Sequence, residues 1–293
     1  MSDIAELLGR LVSIPSVNPM GGELSAPEVG EARLTAYLES VLQGLGLPTH
    51  RQHVEPGRDN LLARLDGACA PEDGGAILLF AVHQDTVPGS GMTIPPFEPR
   101  VHDRRLFGRG ACDVKGGMAA VIAAVARLTR TPRAVRPNIV LAFTVNEEYG
   151  FSGANALPRA WKENPGGILP RRPDAAVVAE PTSLNVVVAH KGVVRWCCHT
   201  LGRAAHSAYP GEGDNAIYKM ARVLNALERY QGEVVGTLGS HPLCGSGTLN
   251  VGTIRGGLSV NTVPDRCTIE IDRRLAPHET PLQARQHVID YLD

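Results

Sequence analysis

The chain has 293 residues, 43% hydrophobic and 20% charged, with a formal net charge of -1. That length suggests two domains, and the composition is that of a folded globular protein, which excludes a disordered one. Near-neutral charge leaves no footprint for nucleic acid or an anionic membrane.

The opening MSDIAELLGRLVSIPSVNP carries acidic residues inside a short amphipathic pattern. It reads as a first helix capped by Ser2 or Asp3, not as a signal peptide. No apolar run approaches the roughly 18 uncharged residues that suggest a membrane span. The six cysteines, at 69, 112, 197, 198, 244 and 267, form no C-x-x-C pair. They read as small core residues in a reducing cytoplasm.

Strand and helix signals then alternate: AILLFAV (76–82), a helical GGMAAVIAAVARL (116–128), NIVLAFTV (138–145) and DAAVVAE (174–180). Short apolar strands between helices predict an α/β domain over residues 1–183, its twisted, mostly parallel sheet covered by helices. Functional groups in such sheets sit where strands end in loops. His83 and Asp85 follow the first strand, Glu147 and Glu148 the second, and Glu180 closes the third. The three strand ends are expected to converge.

After Pro181 the texture changes. NVVVAHKGVVRWCCHTLGRAA (185–205) is long and β-rich, and NAIYKMARVLNALERY (215–230) is an amphipathic helix. Strands TLNVGTIRGG (248–257) and RCTIEIDRRL (266–275) follow, then a helix from TPLQARQHVIDYLD capped by Thr280. The order β, α, β, β, α is a ferredoxin-like arrangement without its last strand, so residues 184–293 are expected to form an incomplete ferredoxin-like α+β domain. An unpaired sheet edge and an uncovered helix face lead to the expectation that Asp293 is not a natural domain end.

Each candidate residue has a bland explanation when taken alone. A single histidine after a strand is more often structure than ligand. Asp113, in GRGACDVKGG, precedes a helix and would suit its dipole. Glu147 and Glu148 would serve as a solvated face and Glu180 as a turn residue. Metal chemistry explains why every apolar strand of the first part ends in an acid or a histidine. Zinc takes nitrogen and carboxylate ligands and keeps one position open in catalytic sites. Paired metals need a shared carboxylate, which Asp113 in its glycine-bounded turn suits. Asp85 would then orient the His83 ring. Strand neighbours point to opposite faces, so Glu147 and Glu148 both reach the site only where the chain leaves the strand, and Tyr149-Gly150 favours that. One could bind metal while the other faces the water. Asp113 stands where a dinucleotide fingerprint needs its third glycine, no Ser or Thr follows Lys115 as in a phosphate loop, and no G-x-S-x-G elbow is present.

In order, SIPSVNP, HQDTVP, FGRGACDVKGG, NEEYGFSGA, EPT, GRAAHSAYP, GGLSVNTVPD and IDRRLAP resemble the zinc-dependent amidohydrolases that include acetylornithine deacetylase, succinyl-diaminopimelate desuccinylase, aminoacylase and glutamate carboxypeptidases. The resemblance implies two Zn2+ ions, with His83, Asp113 and Glu180 on one and Asp113 with Glu148 on the other; cobalt or manganese also suits such N/O sites. It implies Glu147 as general base, moving a proton from the attacking water to the leaving amine, and Asp85 behind His83. His206 matches a lid histidine that reaches the partner subunit's active site in a homodimer and stabilises the oxyanion. Asn261 and Arg274 match substrate contacts, with Arg274 suited to a carboxylate; strand alternation puts Asp272 on the same face and Arg273 on the other.

The family's second zinc takes a further histidine from a C-terminal segment that this sequence does not include, and His278 and His287, around the last helix, are poor substitutes. The expected function is amide hydrolysis of an N-acyl amino acid or short peptide. Acetylornithine deacetylase comes first because GVVRW and IDRRLAP look most like that branch. A desuccinylase, or a dipeptidase or carboxypeptidase of the same family, is the alternative. From another class comes an inactive, dimerising homologue or fragment, which the missing terminus favours for this chain and the presence of Glu147 argues against.

Overall fold

The computed structural model describes residues 4–133, 136–163 and 166–293, so the expected caps Ser2 and Asp3 lie outside the described residues. The chain divides into two compact units, Met1–Leu184 and Asn185–Asp293. No helix among the described residues is long and apolar enough to cross a membrane.

The first unit contains α1 (Ile4–Ser13), α2 (Ala32–Gly44), β1 (Thr49–Glu55), β2 (Arg58–Leu65) and β3 (Ile77–His83). A hairpin of β4 (Arg100–His102) and β5 (Arg105–Phe107) follows, then α3 (Gly116–Leu128), β6 (Asn138–Thr144), α4 (Ser152–Glu163) and β7 (Ala175–Val178). The main sheet has the order β1-β2-β6-β3-β7. Strands β6, β3 and β7 pair in parallel, and β2 runs antiparallel to both β1 and β6. Only β2 opposes the common direction, so the sheet is mostly parallel, as the strand–helix alternation implies.

Residue type explains strand position. Every residue of β6, NIVLAFT, is buried, as a central strand covered on both faces requires. Alternate residues face different layers: Leu141 and Phe143 join Leu11, Leu34, Leu38, Met118 and Ile122 from α1, α2 and α3. Val140 and Ala142 join Leu62, Leu79 and Leu157, the last from α4. Strand β1, THRQHVE, is polar because it lies at the sheet edge, which is why periodicity does not reveal it.

The second unit contains β8 (Gly192–Leu201), β9 (Ala205–His206), α5 (Ala216–Arg229), β10 (Ser240–His241), β11 (Gly245–Ser246), β12 (Thr248–Gly256), β13 (Thr262–Val263), β14 (Arg266–Leu275) and α6 (Pro281–Leu292). Its three-stranded sheet, β12-β14-β8, is antiparallel. One face packs on the helices: Ile269 and Ile271 meet Met220, Leu227 and Val288. Thr280 begins α6 with a capping box completed by Gln283.

Two expectations need correction. The strand expected from 185 begins at Gly192, because its pairing with β14 ends at Leu275 opposite Gly192 and nothing among the described residues continues the ladder. Val186 and Val188 are therefore exposed. Nor are the cysteines core residues as a class: only Cys267 is buried, while Cys69, Cys112 and Cys197 are exposed. Strand alternation decides the β14 case, since Cys267 lies on its helix-covered face.

Candidate metal centre

The parallel strands align their carboxyl ends. Ala81 pairs with Ala142 on one side and Val178 on the other, and His83 pairs with Thr144. The residues just beyond β6 and β7, Glu147, Glu148 and Glu180, thus lie along the same sheet end as His83. Asp113 arrives from the turn Ala111–Lys115 before α3 and has non-helical angles, φ -115° and ψ 93°. Gly110 permits that turn: its φ is +76°, and a Cβ there would meet Thr86 Cγ2 at 2.7 Å.

One ligand atom each from His83, Asp113 and Glu180 lies within 4.8 Å of the other two. One imidazole nitrogen and two carboxylate oxygens are a donor set suited to a single zinc-type ion. The buried His83 presents Nε2 to Asp113 Oδ1 at 3.0 Å and Nδ1 to the main-chain oxygen of Asp85 at 2.9 Å. A carbonyl only accepts, so Nδ1 carries a proton there and Nε2 is the ring nitrogen that faces Asp113.

Asp85 therefore orients His83 through its carbonyl. Its carboxylate lies 3.7 Å from Nδ1, beyond hydrogen-bond range. That carboxylate instead accepts the main-chain N–H of Glu147 on Oδ1 and of Glu148 on Oδ2, each at 3.0 Å. Glu148 Oε1 accepts the N–H of Val87 at 3.2 Å.

The electrostatics suit a cation. Burial pulls the His83 pKa down, but the facing carboxylates of Asp113 and Asp85 outweigh it and raise it to about 11. Burial, with the charge of Asp113, raises Glu148 to about 7. Burial also raises Glu180, against the opposing influence of His83. Burial disfavours the charged form of Asp85, yet the nearby His83 ring and the bonds from Glu147, Asn18 and Glu148 hold it below the usual range. Acids forced upward around a histidine forced to keep its proton are relieved by a bound cation.

Several supporting residues escape the sequence reading. Asn18, Asn146 and the buried Glu31–Arg58 pair surround the loop of Glu147 and Glu148. Lys115, buried, donates from Nζ to Leu11 O at 2.9 Å and Ile14 O at 2.7 Å, fastening the Asp113 turn to the end of α1. The asparagine before the final proline of SIPSVNP and the one opening NEEYG are local hints.

His206, Asn261 and Arg274 belong to the second unit. In the β9–β13 ribbon His206 pairs with Thr262, its Nδ1 accepts the N–H of Ala208 at 3.1 Å, and Asn261 O accepts the N–H of Ser207 at 3.0 Å. Arg274 Nε bonds Asp272 at 2.7 Å on the exposed face, whereas Arg273 is fully buried against Glu279 at 2.5 Å. His278 Nε2 lies 3.1 Å from Leu238 O and His287 Nδ1 2.9 Å from Tyr230 Oη, so both serve their own unit.

The chain is 34% identical over 279 residues to acetylornithine deacetylase from Vibrio campbellii, covering 94% of this chain and 68% of that protein. It is 32% identical over 304 residues to succinyl-diaminopimelate desuccinylase from Rhodospirillum centenum, covering 99% and 72%. The chain belongs to the acetylornithine deacetylase and succinyl-diaminopimelate desuccinylase family of metal-dependent amide hydrolases. Residues 188–293 match the peptidase dimerisation domain, and residues 60–171 match peptidase family M28. The fold of this deacetylase and desuccinylase family recurs in an M20 family metallo-carboxypeptidase from Sulfolobus solfataricus, with TM-score 0.70, 18% identity, and 100% of this chain and 75% of that one covered. A dipeptidase from Saccharomyces cerevisiae has TM-score 0.72 at 15% identity, with 98% and 72% covered.

Proposed function

We propose that this chain carries the catalytic centre of an N-acyl amino acid deacylase, acting first on acetylornithine, and that residues 1–183 are its catalytic domain and 184–293 its lid and dimerisation domain. The meeting of His83, Asp113 and Glu180 within 4.8 Å carries the reading. In it, these three hold one zinc ion, and Asp113 with Glu148 contributes to a second. When bound, the metal pair polarises the scissile carbonyl and lowers the pKa of water.

The chain's own residues supply the rest. Glu147 takes a proton from the attacking water and gives it to the leaving nitrogen, so that amide and water become carboxylate and amine. Asp85 supports that exchange by bonding the Glu147 main chain. His206, whose Nδ1 is occupied as an acceptor, has Nε2–H free to donate to the oxyanion. We assign it to the partner subunit's site in a homodimer, a reading supported by the dimerisation match. Arg274 receives the substrate carboxylate, with Asn261 a second substrate contact. Six free thiols favour a cytoplasmic setting.

Metal analysis with an acetylornithine hydrolysis assay tests the proposal. Bound zinc, with turnover reduced at least about 100-fold in Glu147→Ala at unchanged metal content, is expected. A folded protein that binds no metal would instead establish the non-catalytic reading. The kcat/KM ratio for acetylornithine over succinyl-diaminopimelate separates the two leading substrates, the second being named by the 32% identical relative.

A further inference from the structure

We propose that Asn18 is a positioning residue: one side-chain amide ties Asp85 to Asn146 and thereby fixes the loop that carries Glu147 and Glu148. Asn18 is 1% exposed. Its Nδ2 donates to Asp85 Oδ2 at 2.7 Å and to Asn146 Oδ1 at 2.9 Å, and its Oδ1 accepts the N–H of Met20 at 2.8 Å. Both amide hydrogens are thus committed to residues flanking the two glutamates.

The main chain sets that side chain in place. Asn18 N donates to Thr86 O at 2.8 Å, and Thr86 N donates to Ser16 O at 3.1 Å, so residues 16–18 run beside the chain leaving His83. From there the amide reaches Asn146, whose φ of 60° is a left-handed conformation that asparagine tolerates better than most residues. Asn146 is anchored from other sides as well: its N–H donates to Glu31 Oε1 at 3.2 Å, its Nδ2 to Ser152 Oγ at 2.9 Å, and its carbonyl accepts the N–H of Phe151 at 2.6 Å.

The connection is geometric. Asp85 holds the two glutamate N–H groups with its two oxygens, and the oxygen serving Glu148 is the one Asn18 bonds. Without Asn18, that buried carboxylate loses a donor, Asn146 Oδ1 loses its bond from Asn18, and the glutamate loop loses its link to the segment beside His83. Asn18→Asp keeps the shape of the side chain but sets an acceptor against an acceptor where the 2.7 Å bond now lies. The inference rests on the proposed roles of Glu147 and Glu148 only for its catalytic consequence.

Hydrogen exchange on the full metal-free chain, read by mass spectrometry, tests the positioning directly. Asn18→Asp is expected to raise exchange in a peptide spanning 144–151 by about tenfold and to leave α3 unchanged. In the zinc-loaded protein, kcat for acetylornithine should fall about 10- to 100-fold with KM within about twofold. Asn18→Ala, which leaves a small hole in place of a charge, should show the same pattern more weakly, and it carries the test should the aspartate variant not fold. Unchanged exchange at 144–151, or a uniform rise across the first unit with kcat per folded molecule intact, would overturn the proposal. Failure of the catalytic reading would appear separately, as full turnover in Glu147→Ala.

Discussion

His83 Nε2 lies 3.0 Å from Asp113 Oδ1, so the protonated ring donates to the carboxylate with which it is proposed to share a metal ion. The His83 pKa of about 11 expresses that pairing. Metal must displace this proton, so its affinity depends on pH. The free state holds the proton up to about 11 and the bound state does not, so affinity rises with pH and levels off above about 11. Glu148, at about 7, adds a second proton to be displaced on the acid side. Chelator competition should give a zinc affinity rising about tenfold per pH unit between about pH 7 and about pH 9, and more steeply below about pH 7. A flat profile would mean that His83 does not ligate.

Replacing the Asp85 carboxylate separates its two duties. Asp85→Asn retains the carbonyl that orients His83 but can accept from only one of the Glu147 and Glu148 N–H groups. Zinc content should be unchanged while kcat falls about 10- to 100-fold. Loss of zinc would mean that the carboxylate, not the carbonyl, holds the ring.

Glu31 and Arg58 form a two-point ion pair at 2.5 and 2.8 Å with side chains 0% and 4% exposed. Glu31 also accepts the N–H of Asn146. Arg58→Met leaves a buried carboxylate without its main partner and should destabilise the first unit by about 3–5 kcal/mol in urea unfolding. Changing both residues, as Glu31→Gln with Arg58→Met, should cost less than the single change, because no uncompensated charge remains. A double variant that is less stable than Arg58→Met would contradict this.

Lys115 predicts a stability slope. Burial, reinforced by Arg33, lowers its pKa from 10.5 to about 7. Between those values the unfolded chain holds a proton that the folded chain lacks, so this lysine makes stability rise with pH from about 7 to 10.5. Lys115→Met should remove that slope. It should also cost about 1–3 kcal/mol by leaving the carbonyls of Leu11 and Ile14 without this donor, as thermal melts across pH would show.

Much of this protein is legible in linear order because its signals are local. Period and punctuation locate β3, α3, β6, β14 and α6 within a residue or so, since apolar spacing and caps act between near neighbours. The ligand candidates stand out because a parallel sheet brings strand ends together, so recurrence of acids after apolar runs carries spatial meaning. Other features depend on partners far along the chain. Asn18 meets Asp85 across 67 positions and Asn146 across 128, distances over which no spacing rule operates. Val186 and Val188 have the composition of a strand but no strand partner among the described residues, because β14 runs out at Leu275. By itself, the sequence determined these five elements, the acids at the strand ends and the family. Only the tertiary structure decided that Asp85 orients His83 by its carbonyl and steadies the glutamates by its carboxylate, because that division depends on which atoms lie within hydrogen-bonding reach.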